Sequence, residues 1–491
     1  MLPSALHRVA ALLTLSAALC VPATTAVAQA AAAGTSRGLA LAHVHVVNPR
    51  TGVVRDDQTI VTRGDRIVAV APSGVTRLPA GVRVVNADGA YVIPGLWDAH
   101  VHLSYAGACA LPVFVAHGIT SVRDLGARLD EVRAWRAAAA RQALVAPRIW
   151  AAGPDVESAA WLDAAHALSP PTDSMWAWGP RLRMQGPADA AAITDSLARL
   201  GVDVVKFRNL PRASFLALAA AARRRGLRLA GHAPKGTTLA EAAAAGLGSV
   251  EHAETVTLAL GAAPDSIRRK QFRVAARAGL MVTPTLVTER TLWLTPASVA
   301  RAVLADSAGA RDPERQYVSA RQLRAWAHAL ELNARGADGT TDWPALYRRQ
   351  TADMRLARTA GMPFLAGTDF GSATGLYAGA GLHEELALLV RDVGLTPREA
   401  LASATTAPAA FFGQAQAFGV TPGAHADLVV LAADPLTDIR NTRRIRAVLL
   451  GGRLFEQAEL DTLLADVGTA VRSGADCARA RPPGGTSAAG R

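Results

Sequence analysis

The chain has 491 residues, of which 50% are hydrophobic and 19% are charged. This length exceeds what one hydrophobic core usually supports, so at least two modules are expected. The apolar fraction excludes a disordered chain, and the three cysteines are too few for a disulfide scaffold. The net charge of +12 comes from 52 basic and 40 acidic residues, and the basic ones are scattered without a stripe interleaved with aromatic residues. This pattern indicates a solvated surface, so no nucleic-acid partner is expected.

The N-terminus has the pattern of a secretory signal peptide over residues 1–30. An apolar stretch from Val9 to Val21 is followed by small residues at the positions that a signal peptidase reads. The stretch is shorter than the roughly 20 residues that span a bilayer. We therefore expect a periplasmic or secreted protein with no membrane span after signal removal. Two cysteines remain then, Cys109 and Cys477, and the sequence leaves open whether they pair.

Both ends of the mature chain are predicted to form short β-strands. Residues 35–90 contain alternating or apolar runs separated by turn signals such as Asn48-Pro49, and residues 414–456 have the same texture. Together these segments predict a small discontinuous β-sandwich domain built from both chain ends. Residues 457–491 are expected to form a C-terminal helix followed by a flexible tail.

Between these segments, over residues 91–413, short apolar strands alternate with helical stretches rich in alanine, arginine and leucine. Eight such units predict an α/β fold of the (β/α)8 TIM-barrel type. Two long connections, 153–201 and 287–361, follow strands, so they should lie over the face on which barrel active sites sit. The eight predicted strands are Tyr91–Gly95, Thr120–Arg123, Arg148–Ala152, Asp203–Phe207, Arg228–Ala233, Ser249–Ala253, Met281–Leu286 and Pro363–Thr368.

Side chains that can bind a metal ion stand at the ends of several predicted strands. In the segment 94–102, two histidines are two residues apart, so both would point the same way from an extended strand. The same spacing at His43 and His45 lies outside the barrel segment and is interpreted as surface decoration. Because the carboxyl ends of parallel barrel strands share one face, we expect the barrel residues to converge there. They are His100, His102, Lys206, His232, His252 and Asp369.

The order of these residues resembles the amidohydrolase superfamily of metal-dependent hydrolases. The resemblance spans nearly the whole mature chain and includes the segments 92–98, 118–124, 395–401 and 423–430. Within the superfamily, the chain is most similar to the branch that contains imidazolonepropionase-like proteins and Xaa-Pro dipeptidases. The resemblance implies a barrel with a two-metal site at its mouth.

The resemblance also implies which residues hold the two divalent ions. His100, His102 and Asp369 would hold one ion, and His232 with His252 would hold the other. Imidazole and carboxylate ligands favour Zn²⁺, although manganese or cobalt would also fit.

The same resemblance gives Lys206 and Asp369 chemical roles. Lys206, carbamylated by CO₂, would bridge the ions; only three of the 52 basic residues are lysine, which makes a lysine at this place notable. Only a neutral amine reacts with CO₂; an apolar strand end lowers a lysine pKa, whereas arginine stays protonated. Asp369 would take a proton from the attacking hydroxide and pass it to the leaving nitrogen of an amide.

Three further residues are predicted substrate contacts. Tyr105 follows the histidine pair, and Lys235 is the cation nearest in sequence to His232, where a substrate carboxylate would require a positive charge. His383 lies in a segment that matches the family after the last strand, where it either packs structurally or faces substrate. Arg123 is a candidate by position only.

The leading hypothesis is a hydrolase of an amide bond in a dipeptide or an N-acyl amino acid. A second hypothesis keeps the fold but has one metal, an unmodified Lys206, and either cyclic-amide hydrolysis or deamination. A third is a non-catalytic exported binding protein on the same scaffold. The expected partner is a small molecule or short peptide, and the sequence leaves open whether the chain forms homo-oligomers.

Overall fold

The computed structural model describes residues 38–168, 179–336, 341–475 and 477. The predicted signal peptide and the predicted tail after Cys477 lie outside the described residues. Within the described ranges, no helix combines the length and apolar character needed to cross a bilayer. The strands are β1 (Leu39–Val47), β2 (Val54–Arg63), β3 (Arg66–Pro72), β4 (Arg83–Asn86), β5 (Tyr91–Pro94), β6 (Leu96–Val101), β7 (Ile119–Asp124), β8 (Arg148–Ala151), β9 (Asp155–Ser158), β10 (Arg181–Met184), β11 (Val205–Arg208), β12 (Leu229–Gly231), β13 (Leu247–Glu251), β14 (Met281–Thr283), β15 (Leu428–Leu431), β16 (Ile445–Leu450) and β17 (Arg453–Glu456).

Helices follow most of the strands in the middle of the chain. They begin where the sequence supplies capping groups: Thr396 Oγ1 accepts from the backbone N–H of Glu399, whose carboxylate accepts from Thr396 N, with Pro397 at the first helical position. The helices are α1 (Ala110–Ala116), α2 (Leu129–Ala140), α3 (Ala159–Leu168), α4 (Ala190–Leu200), α5 (Arg212–Arg224), α6 (Leu239–Ala245), α7 (Ala253–Leu260), α8 (Asp265–Arg277), α9 (Leu286–Leu294), α10 (Ala297–Ala305), α11 (Ala320–Gly336), α12 (Trp343–Thr359), α13 (Ala380–Leu388), α14 (Pro397–Ser403), α15 (Thr406–Phe411) and α16 (Gln457–Ser473).

Strands from both chain ends form one mixed sheet. Its order is β17-β16-β15-β5-β1-β2-β3, with β4 paired to β1. The join between the two ends is the antiparallel pairing of β15 with β5, which sets Val430 opposite Val92. Apolar residues of both ends, including Leu41 and Leu428, share one buried cluster, which holds the two parts of the chain together.

The pairing of β5 corrects one sequence prediction. Tyr91–Gly95 was expected to be the first barrel strand, but β5 pairs with β1 and β15 in the mixed sheet. The strand that leads to the histidine pair is β6, which is parallel to β7. Both strands are apolar and only Gly95 separates them, so the sequence offered no break at which to divide them.

Two parallel sheets form the α/β part of the molecule. Their orders are β6-β7-β8 and β10-β9-β11-β12-β13-β14. The backbone N–H of Asp203, just before β11, donates to Ala151 O in β8 at 2.9 Å. The segment 363–370 lies between β14 and β6: Leu365 N donates to Val282 O at 2.8 Å, and Asp369 N donates to His100 O at 2.7 Å. Backbone hydrogen bonds therefore lead from β6 through β14 and back to β6.

Six of the eight predicted strands are confirmed by this arrangement. They correspond to β7, β8, β11, β12, β13 and β14. The predicted strand 363–368 makes a single parallel bridge, from Phe364 to Val282 in β14, and is not a regular strand. The sequence analysis missed β9 and β10, which lie in the first long connection. Their sequences, DVES and RLRM, contain no apolar run that would mark a buried strand. They are nevertheless accommodated in the interior because charged side chains of the two strands, Glu157 and Arg181, pair with each other.

Apolar side chains fill the space below the ends of the parallel strands. Trp97, Val204 and Leu365 come from three different segments, are completely buried, and belong to one cluster. Burying a side chain of this kind contributes about 1.5–3 kcal/mol. This apolar cluster packs directly below the polar residues at the ends of the strands.

A disulfide bond joins Cys109 to Cys477. The two residues are 368 positions apart, and their Cα atoms are 4.9 Å apart. The bond links the segment just before α1 to the segment just after α16. The pairing that the sequence left open is thus present in the structure.

Candidate metal centre

The carboxyl ends of the parallel strands bring the six predicted ligands to one place. A cavity of about 190 Å³ opens there, and its lining includes His102, Lys206, His232, His252 and Asp369. His100 lies beneath these residues and is completely buried. Lys206 lies within β11, and His232 and His252 directly follow β12 and β13, so three neighbouring strands each contribute one side chain.

The distances within the group are short enough for shared ligation. Asp369 Oδ1 lies 2.9 Å from His102 Nε2 and 3.3 Å from His100 Nε2. The ring centroids of His100 and His252 are 4.7 Å apart, and those of His232 and His252 are 4.9 Å apart. Ligand atoms of His100, His252 and Asp369 all lie within 4.8 Å of one another. The donor set of imidazoles and a carboxylate fits a divalent transition metal such as zinc.

Lys206 has the environment that carbamate formation requires. Its side chain is 1% exposed, and its Nζ has no hydrogen-bond partner within the described residues. Burial lowers the pKa of Lys206 to about 8, against the opposing effect of the nearby carboxylates of Glu251 and Asp155. A larger fraction of this side chain is therefore the neutral amine near neutral pH than for an exposed lysine. The group fits a bridging carbamate by its position and by its chemistry.

Two of the histidines are held so that one ring nitrogen faces the cavity. His100 Nδ1 lies 2.9 Å from Glu251 Oε2, and His252 Nδ1 lies 2.8 Å from Thr285 Oγ1. Burial lowers the pKa of His252 to about 4 and moves the pKa of His100 well below its usual value. Both rings are therefore neutral at pH 7, as metal ligands must be, and Nε2 is the nitrogen that remains for the cavity.

An arginine–glutamate pair lies under the site and was not predicted. Arg123 Nη2 is 2.9 Å from Glu251 Oε1, and the two side chains are 1% and 0% exposed. Burial alone would raise the pKa of Glu251, but Arg123 and the bond to His100 outweigh it and lower the pKa. The position of Arg123 in the sequence had suggested a substrate contact, but its buried side chain contacts Glu251 beneath the site instead. It holds the carboxylate that orients a candidate ligand.

Two site residues stand in a strained backbone conformation. His252 has φ of 68° and Asp369 has φ of 56°, a region that costs a residue with a side chain about 1–3 kcal/mol. Gly367 allows the segment before Asp369 to approach β6, because a Cβ there would lie 2.7 Å from His100 Cβ. The fold maintains this strain where the ligands meet, which is typical of functional sites.

The predicted substrate contacts are only partly brought to the cavity. Tyr105 lines it, and its ring centroid is 5.7 Å from that of His102. Lys235 is exposed and is not among the lining residues of the described chain. His383 is buried elsewhere: its Nε2 donates to the carbonyl oxygen of His117 at 3.0 Å, and its Nδ1 is 2.9 Å from Thr442 Oγ1. For Lys235 and His383 the structure therefore corrects the prediction.

Several residues of the cavity wall were missed by the sequence analysis. Arg208 follows Lys206 by two residues in β11 and so points to the same side, a signal that the strand period offered. Glu254 lies on α7 and Glu289 lies on α9. The sequence gave no indication that these helices place either residue next to the cavity. All three line the cavity.

Comparisons with known proteins identify the family of this chain. Residues 91–455 match the model of the Amidohydrolase family, and the chain belongs to that family. An imidazolonepropionase from Symbiobacterium thermophilum is 35% identical over 104 residues, which are 18% of this chain and 24% of that protein. A candidate prolidase from Bifidobacterium longum has a similar structure, with a TM-score of 0.65 and 25% identity over 88% of this chain and 100% of its own. A Xaa-Pro dipeptidase with bound methionine shares the fold at a TM-score of 0.63 and 19% identity, covering 85% of this chain and 100% of its own. The predicted superfamily and branch are thus confirmed.

Proposed function

We propose that this protein is a metal-dependent hydrolase that cleaves the amide bond of a dipeptide or an N-acyl amino acid. The observation that carries the proposal is the convergence of four imidazoles, Lys206 and Asp369 on one cavity. We also propose that the ring of hydrogen-bonded parallel strands is a (β/α)8 barrel over residues 91–413. The mixed sheet of residues 35–90 and 414–456 would be its β-sandwich domain.

Two divalent ions, with zinc favoured, would lower the pKa of a water molecule and polarise the substrate carbonyl. His100, His102 and Asp369 would hold one ion, His232 and His252 the other. The buried, unpartnered amine of Lys206 would bridge them as a carbamate.

Asp369 is suited to the proton transfers of amide hydrolysis. Burial alone would raise its pKa, but the hydrogen bond from His102 and the interactions with the neighbouring imidazoles outweigh burial and lower it. The carboxylate is therefore ionised at neutral pH and can accept the proton of the attacking water. It then donates that proton to the nitrogen that leaves, which prevents expulsion of an amide anion.

The cavity size and the neighbours support a short substrate. A volume of about 190 Å³ leaves room for little more than the atoms around one scissile bond and its nearest substituents. The candidate prolidase and the Xaa-Pro dipeptidase are, by their names, enzymes of dipeptides. Dipeptides and N-acyl amino acids are accordingly the first substrate classes to test.

An exported location is proposed from the N-terminal sequence and is supported by the disulfide bond. Disulfides persist in oxidising compartments such as the periplasm and the extracellular space. The bond between Cys109 and Cys477 is thus in keeping with a periplasmic or secreted enzyme.

A one-metal hydrolase or deaminase is the second candidate, and one observation favours it. His100, His252 and Asp369 alone form a group compact enough for a single ion. In that case Lys206 would remain an amine.

The test is hydrolysis of a panel of L-dipeptides and N-acetyl-L-amino acids by the zinc-loaded enzyme and by Lys206→Ala. The proposal predicts turnover by the wild type, loss in the variant, and partial recovery when a short carboxylate such as propionate is added. Full activity of Lys206→Ala without added carboxylate would contradict the two-metal site bridged by Lys206 and would favour the one-metal candidate. Ligand binding without turnover across the panel would contradict both enzymes.

A further inference from the structure

The cavity contains one arginine. Among the lining residues of the described chain, the only cationic side chains besides the histidines are Lys206 and Arg208. Since Lys206 is assigned to the metal centre, Arg208 is the cation that remains for a ligand. It stands at the carboxyl end of β11, and its side chain is 27% exposed, so a molecule in the cavity can reach it.

The guanidinium of Arg208 is positioned without using up its donors. Glu157 Oε2 lies 4.0 Å from Arg208 Nε, which is too long for a hydrogen bond, and this Nε has no hydrogen-bond partner in the described part of the chain. Trp161 lies against the guanidinium, 5.9 Å from ring centroid to Cζ. The completely buried Glu157 thus attracts the arginine and the aromatic ring supports it, while N–H groups remain for a ligand.

The carboxyl groups of the cavity lining other than Asp369 lie away from Arg208. Glu254 and Glu289 line the cavity from α7 and α9, the helices that follow β13 and β14, whereas Arg208 closes β11. In the order β11-β12-β13-β14 these positions are two and three strands away from the arginine. An anionic group of a ligand therefore finds its cationic partner on the Arg208 side of the cavity.

We propose that Arg208 binds the free carboxylate of the amino acid that leaves when the amide bond is cleaved. This inference rests on the proposed function and deepens it by naming the residue that selects the substrate: Arg208 favours amides whose nitrogen belongs to an α-amino acid with an ionised carboxylate. A guanidinium suits this task because its planar fork donates two parallel hydrogen bonds to a carboxylate. Arg208 takes the role that the sequence had suggested for Lys235, which lies outside the cavity.

The experiment compares L-alanyl dipeptides with the same dipeptides as C-terminal amides, which share the scissile bond but lack the negative charge. We expect the wild type to prefer the acids by roughly 10- to 100-fold in kcat/KM, mainly through KM, because a charge-assisted pair is lost in the amides. Arg208→Met should abolish the preference, because it reduces kcat/KM for the acids far more than for the amides. Arg208→Lys should give an intermediate preference. The matched control is Arg183→Met, which removes an exposed arginine that pairs with Asp163 and lies in β10, two strands away from β11 in the same sheet.

An unchanged preference in Arg208→Met would overturn the inference while leaving the hydrolase intact. If the wild type hydrolyses neither acid nor amide, the proposed function fails, and the subsite is then decided by calorimetric titration with L-leucine and L-leucinamide. Tighter binding of leucine than of leucinamide, lost in Arg208→Met alone, would support the carboxylate subsite without turnover. Equal binding of the two ligands, or equal binding by variant and wild type, would overturn it.

Discussion

A substitution in the buried pair of Arg123 and Glu251 can test whether Glu251 positions His100 for metal binding or only stabilises the fold. Glu251 contacts Arg123 at 2.9 Å and His100 at 2.9 Å, and it also accepts from Ser249 Oγ at 2.5 Å. The change Glu251→Gln keeps the shape and one acceptor oxygen but removes the charge. It leaves the guanidinium of Arg123 buried without a counter-charge, while His100 loses a charged partner.

The expected loss of stability follows from the burial of the two side chains. Removing one partner of a buried ion pair costs about 3–5 kcal/mol, because the remaining charge is not solvated. Both side chains are at most 1% exposed, so this estimate applies without a discount for solvent screening. Loss of a carboxylate that orients a metal-bound histidine typically weakens metal binding by about 10- to 100-fold. We expect Glu251→Gln to show both effects.

The assay is urea unfolding of the metal-free protein together with zinc competition against a chromophoric chelator. The matched control is Glu241→Gln, which removes the carboxylate from another Glu–Arg pair, with Arg212, at the surface. Surface pairs contribute little to stability, so the control should resemble the wild type in both measurements. Equal unfolding free energies and equal zinc affinities for the two variants would refute the role given to the buried pair.

Three further predictions concern a buried acid, the disulfide and the candidate base. Burial raises the pKa of Glu385 to about 8 from 4.5, so the folded state holds a proton that the unfolded state releases between these values. Stability should therefore fall as pH rises through this window, by up to about 5 kcal/mol, and Glu385→Gln should flatten the profile measured by urea unfolding from pH 4.5 to 9; an unchanged slope would contradict the assignment. Cys477→Ser should destabilise the protein by about 2–5 kcal/mol, and dithiothreitol should lower the melting temperature of the wild type but not of the variant; equal melting temperatures in reductant-free buffer would exclude a stabilising bond. Asp369→Asn should reduce kcat by at least about 100-fold with folding retained by circular dichroism, and near-normal turnover would rule out its role as base.

The ligands could be predicted from the sequence because one rule connects them. His232 ends one short apolar segment and His252 ends another, and parallel strands bring their carboxyl ends to one face. The rule needs only strand order and not the details of packing. The same reasoning could have found Arg208, since it lies two residues after Lys206 on the same strand.

Other residues could not be placed because sequence distance is a poor guide to distance in space. Lys235 is near a ligand along the chain, but the turn after β12 leaves it exposed. His383 resembles a site residue by its segment, yet α13 points its ring at the His117 carbonyl. Glu251 precedes a candidate ligand directly, but its partner Arg123 is 128 residues away, so the pair appears only when the strands are assembled.

The most direct test of the account is a combined measurement of metal content and carbamate on the purified enzyme. The protein is loaded with zinc in ¹³C-labelled bicarbonate and examined by elemental analysis and ¹³C NMR, with Lys206→Arg as the control. Convergence of Lys206 with the four histidines and Asp369 predicts two zinc ions per chain and a carbamate signal that the control lacks. A fully active enzyme with one ion per chain and no carbamate signal would contradict it.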